Sequence, residues 1–183
     1  MSDTWIAADR DPRESDYTRG ERATLVEYLR AYRLTLELKC QDLTPEQLAQ
    51  RSVPPSSLSL LGLVRHMADV EFNWFRRVMG RRPELPRMWG KSESRDGDFD
   101  GAVGTQECLD EAFTLWRAEI AYAESVVSGA ETLDVTGLHG AGPNEPGGEI
   151  ELREVLVHMI EEYARHCGHA DLLRERIDGR TGQ

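Results

Sequence analysis

The chain has no apolar run long enough to cross a bilayer, and its N-terminus lacks a basic segment followed by an apolar one. A membrane span and a secretory leader are therefore not expected, and a cytoplasmic setting is. Its three cysteines, Cys40, Cys108 and Cys167, are widely spaced, odd in number and without a C-x-x-C pair. That pattern argues against a disulfide framework or a thiolate zinc knuckle and suits reduced thiols. Positive charge is also scarce: 22 Lys and Arg face 33 Asp and Glu, a formal net charge of −11. No basic stripe interrupts this acidity, so neither a nucleic-acid phosphate backbone nor an anionic membrane is an expected partner. Internal repeats, low-complexity tracts and a convincing set of strands are missing too.

What is present is helical periodicity. Hydrophobic residues make up 39% of the 183, enough for one ordinary domain with a real core. Residues 1–18 are polar and irregular and read as an N-terminal arm. From about residue 19, Leu25, Tyr28, Leu29, Tyr32, Leu36 and Cys40 recur at spacings of three and four, one apolar stripe. Thr44-Pro45-Glu46-Gln47 has the form of a capping box with proline in the first turn, which predicts a short helix to about Gln50. Ser56 or Ser57 can cap a second long helix ending near Met79 and Gly80. Residues 80–104 read as a long loop, the kind that has a task or is mobile. A third long helix is predicted from about Thr105 to Val127, then a Gly- and Pro-rich loop over 128–148 with room for a short hairpin. A last helix runs from about Ile150 to Ile177, closed by Gly179. The expectation is an all-α, up-and-down four-helix bundle with one short extra helix and two long loops, a single domain over 19–179.

The chemistry-bearing residues concentrate in the last helix, in His158-Met159-Ile160-Glu161-Glu162-Tyr163-Ala164-Arg165-His166-Cys167-Gly168-His169. Glu162 and His166 fall one turn apart beside the apolar stripe, so both can converge on one ion. A divalent cation would compensate a carboxylate near a bundle core, and facing helices commonly build such sites. The bland alternative is an ordinary ion pair at the helix edge. A catalytic zinc needs about three protein ligands and an open position. Of the five histidines, His66, on the second long helix, is the best third ligand. His158 and His169 are expected to be solvated or to lie just outside the ligand set. Glu71 sits in its helix's apolar stripe, where it either orients a ligand or, more in keeping with its position, pairs with Arg30 or Arg33. Cys167 is expected to pack. Trp89, apolar inside a polar loop, fits either a lid over the site or an anchor.

Two segments, Leu63-Val64-Arg65-His66-Met67-Ala68-Asp69-Val70-Glu71 with Trp74 after it, and Glu161 to Glu175, resemble the DinB-like (YfiT-like) metalloenzyme superfamily. The branch most similar contains mycothiol-dependent maleylpyruvate isomerase and related thiol-dependent proteins. Many relatives carry His where this chain has Glu162; the mycothiol-dependent branch is similar in using Glu. The resemblance implies His66, Glu162 and His166 as ligands of a divalent metal, zinc foremost and nickel or iron as alternatives. It also implies a low-molecular-weight thiol such as mycothiol as co-substrate. The expected activity is S-transfer to, or thiol-assisted isomerisation of, an electrophilic small molecule. Metal-assisted hydrolysis at the same site and a non-catalytic stress-response module are the rival readings, and a homodimer is compatible with an exposed bundle face.

Overall fold

A computed structural model describes residues 11–14, 18–89, 96–142 and 145–182; most of the expected N-terminal arm lies outside them. The chain is mostly helical with one small two-stranded sheet. Helix α1 spans Glu21–Cys40, α2 Pro45–Ala49, α3 Leu60–Glu71, α4 Gly97–Asp100, α5 Gln106–Gly129 and α6 Leu152–Asp178. Strands β1 (Thr136–Gly142) and β2 (Glu145–Glu151) form an antiparallel hairpin before α6, the feature for which the Gly- and Pro-rich stretch left room.

Local chemistry explains most boundaries. Thr44 accepts from the Gln47 amide while the Gln47 side chain accepts from the Thr44 amide, the reciprocal cap the sequence predicted. Thr105 caps α5 through the Cys108 amide, and Gly179 ends α6 in the left-handed region at φ 78°. Helix α3 begins later than expected. Ser59 is its cap, accepting from the Gly62 amide, because Ser56 is engaged instead in a local turn with the Leu58 amide.

Two departures matter for the site. The α3 segment does not continue as an α-helix to Met79: Phe72–Met79 is a π-helical stretch, and just beyond it the Gly80 amide still bonds the Phe75 carbonyl five residues back. Trp74, Phe75 and Val78 recur at three and four, spacings an α-helix also gives, so the apolar pattern did not reveal it. Of the region expected as a plain loop, 80–104, the described residues 80–89 and 96–104 make a strap tied to α3. Arg87 and the Met88 amide bond the Asp69 carboxylate, and the Trp89 indole donates to the Arg65 carbonyl at 2.8 Å. Farther along, Arg65 donates to the carbonyl oxygens of Asp98 and Gly97, holding the one-turn α4 in place.

The long helices pack mainly in two pairs, α1 along α6 and α3 along α5. Between them lies a core that includes Leu36, Leu63, Met67, Phe75, Trp116, Leu156, Met159 and Tyr163, all fully buried. Tyr28, placed by spacing in the α1 stripe, is instead exposed, and Arg33 lies buried. A polar chain crosses this core. Arg33 of α1 makes two hydrogen bonds to Glu71 of α3 (2.8 and 2.9 Å). Tyr163 of α6 donates to Glu71, and Trp116 of α5 donates to Tyr163, both at 2.8 Å. Each of the four long helices supplies one member. Burial and the adjacent Glu71 carboxylate push the Tyr163 hydroxyl well above its ordinary range, so it stays a neutral donor.

Candidate metal centre

Glu162 and His166 lie four residues apart on α6, which sets the carboxylate Oε1 3.5 Å from the imidazole Nε2. From α3, His66 brings its own Nε2 to 3.3 Å from the same oxygen. One ligand atom from each residue lies within 4.8 Å of the others, and no fourth His, Cys, Asp or Glu joins the group among the described residues. His166 is buried, while His66 and Glu162 are partly open to solvent. With metal–ligand bonds of about 2.0–2.2 Å, tetrahedral coordination needs ligand atoms roughly 3.3–3.5 Å apart. The two separations to Glu162 already meet this, so the residues could hold a small divalent ion.

The electrostatics mark the same spot. Hydrogen bonds from His166 and His66 outweigh burial and hold the Glu162 carboxyl far below the usual carboxylate range. Burial alone would lower the His66 pKa; hydrogen bonds to Asp98 and Glu162 overcome it and raise the imidazole to about 9. A protonated His66 is one positive charge beside Glu162; Arg165 lies 3.9 Å from the other carboxylate oxygen.

Around the three lie groups that touch their outward sides. His66 Nδ1 and Asp98 Oδ2 are 2.7 Å apart, and Phe99 stacks on the His66 ring with centroids 5.2 Å apart. His166 Nδ1 meets His169 Nδ1 at 3.3 Å, so one of these rings donates to the other. Burial, then the neighbouring His166 and Arg165, lower the His169 pKa. Of the remaining sequence candidates, Glu71 is occupied by Arg33 and Tyr163 in the core, the pairing favoured from its position in the stripe. His158 lies against Trp74, which stacks in turn on His139, so it faces an aromatic wall and not the three ligand atoms. Trp89 packs down on α3 with the Arg65 guanidinium 3.6 Å from its ring centre, an anchor for the strap rather than a cover for the site. Cys167 points to the Tyr32 carbonyl, and burial pushes its thiol up to about 12, as it does that of Cys40. Neither is poised as a nucleophile.

Asp98, Phe99 and Arg65 escaped the sequence reading. Asp98 and Phe99 sit in a stretch without periodicity, where no pattern tells a functional carboxylate from a solvated one. The length of that connection was the one available hint.

The mycothiol-S-transferase family profile matches residues 24–179, which takes in α3, α5, α6 and all but the first turn of α1. No curated protein matches the chain. The match covers most of the sequence and agrees with the branch suggested by the His66 and Glu162–His166 segments: the chain belongs to the mycothiol-S-transferase family.

Proposed function

We propose that the protein is a metal-dependent transferase that joins the sulfur of mycothiol, or a similar low-molecular-weight thiol, to an electrophilic small molecule. Its helices would act as an up-and-down four-helix bundle whose α3 and α6 hold a divalent ion, zinc foremost, through His66, Glu162 and His166. The observation that carries this is the convergence of two imidazole nitrogens and one carboxylate oxygen within 4.8 Å, inside a chain of this family.

Bound there, a divalent cation would lower the pKa of an incoming thiol and hold it as the thiolate, the nucleophilic form. The residues themselves do three things. Glu162 is the single anion of the ligand set, so a dication would keep net positive charge for a thiolate. His66 and His166 would each turn one ring nitrogen to the ion, their opposite ring edges being engaged by Asp98 and His169. The Phe99 ring covers one face of His66 and limits water there. Transfer then forms one bond from sulfur to the electrophilic carbon and breaks the bond to the leaving group.

Elemental analysis tests the site: the native protein should carry about one equivalent of zinc or a related ion, and His166→Ala should lose most of it. Mass spectrometry tests the reaction. Zinc-loaded protein with mycothiol and a haloalkyl electrophile should yield the thioether, and His166→Ala should not. Turnover of the electrophile at the same rate without thiol would favour hydrolysis and overturn the transferase reading.

A further inference from the structure

We infer that Asp98 is a positioning residue for the metal centre, fixing the His66 ring so that Nε2 is the ligand, and that the strap on α3 exists to deliver it. This rests on the metal-dependent reading above.

His66 has two ring nitrogens, and only one faces Glu162. The other, Nδ1, lies 2.7 Å from the Asp98 carboxylate, a distance typical of charge-assisted hydrogen bonds. A carboxylate accepts and cannot donate when ionised, so Nδ1 must carry the proton in that bond. In a neutral ring this leaves the lone pair on Nε2, the atom 3.3 Å from Glu162 Oε1. Asp98 reaches the side of the ring away from the ligand group and is not a member of it. Its role is therefore to act through His66.

Asp98 is not placed by a long helix. It rides on a single turn, and that turn is fastened to the same stretch of α3 that carries His66. Arg65 donates to the carbonyl oxygens of Asp98 and Gly97, at 2.8 and 3.3 Å. Trp89 and Asp69 hold the other end of the strap. Gly62, one turn before His66, lets Phe99 seat against the helix: a Cβ there would fall 2.8 Å from the Phe99 ring. The Asp98 side chain is further fixed by the Phe99 amide, which donates to its Oδ1 at 3.0 Å. So many ties on four residues indicate that the position of this carboxylate is specified.

Zinc affinity measured by competition with a chromophoric chelator tests this on the full chain, with the cobalt-substituted protein as a second readout. Asp98→Ala should weaken zinc binding about 10- to 100-fold, the range seen when such outer partners are removed. Asp98→Asn, which keeps an acceptor but not the charge, should fall between. Asp100→Asn alters the same helical turn at a side chain that pairs with Arg51 instead, and should bind as the native chain does. In the cobalt form, the exchangeable Nδ1–H signal of His66 should be seen in the native protein and lost to solvent exchange in Asp98→Ala. Native affinity in Asp98→Ala, or an equal loss in Asp100→Asn, overturns the inference while leaving the metal centre standing. Failure of the native protein to bind zinc or cobalt overturns the metal-dependent reading itself, and this inference with it.

Discussion

At the scale of single residues, the site is three side chains whose charges depend on one another. Without a bound ion, the His66 imidazole, raised against burial to about 9 by hydrogen bonds to Asp98 and Glu162, supplies a positive charge beside both carboxylates. Because the folded pKa lies above the ordinary value of 6.5, this contribution is fully present below about pH 6.5 and is lost as pH rises through about 9. The expected cost over that interval is on the order of 3 kcal/mol. A thermal-melt series on chelator-treated protein should show Tm falling by several degrees between those pH values, with much less change in the zinc-loaded form. A flat profile for the metal-free protein would show that His66 is not the compensating cation. The same proton must leave when a cation binds, so apparent zinc affinity should strengthen with pH over this range.

Helical spacing made Glu162 and His166 visible as a pair, since four residues apart means one face. His66, on another helix, was legible only as the best placed of the remaining histidines and through the resemblance. It could not show Asp98, since a carboxylate in an aperiodic stretch carries no directional information. Trp89 was legible as an anomaly, an apolar ring in a polar run, but its partner Arg65 looked like one more charge on a helix.

Among the secondary-structure elements, the caps were the most readable parts. Thr44 with Gln47, Thr105 and Gly179 all stand where their chemistry demands. The π-helical stretch over Phe72–Met79 was not readable because its apolar residues keep spacings an α-helix also gives, and the strap was not because it is set by bonds to unpatterned residues. The contact between α3 and the strap is tight at Gly62. Gly62→Ala should push Phe99 away from the helix and destabilise the protein by about 1–3 kcal/mol, the usual cost of overpacking. Urea denaturation measures the loss. Zinc affinity should fall in the same variant, since Phe99 and Asp98 are adjacent; retained stability would mean the strap has slack that the observed contact does not suggest.

For the molecule as a whole, the long amphipathic periodicities were enough to anticipate a mostly helical chain, and the acidic balance spoke only to partners. The buried chain from Arg33 through Glu71 and Tyr163 to Trp116 was only half visible: the odd position of Glu71 was plain and Arg33 was a named partner, but the roles of Tyr163 and Trp116 looked like simple packing. Glu71→Ala should cost about 3–5 kcal/mol, because it leaves the Arg33 charge buried without its partner. Replacing Arg33 and Glu71 together by methionine should cost far less. Equilibrium unfolding of Glu71→Met alone against the double variant distinguishes this from mere loss of volume. Both keep the volume, so a pure packing account makes them equally mild, whereas the stranded Arg33 charge makes the single variant much the worse.

That buried chain has a further effect on what happens one turn away. Glu71 of α3 meets Tyr163 of α6, and on the same two helices His66 meets Glu162, the residue next to Tyr163. A slide of either helix that misaligned the coordinating atoms would also strand a carboxylate in the protein interior. Core and site thus share one vernier: the packing that satisfies Glu71 also gathers His66, Glu162 and His166, so on the proposed reading a cation would not have to draw two helices together.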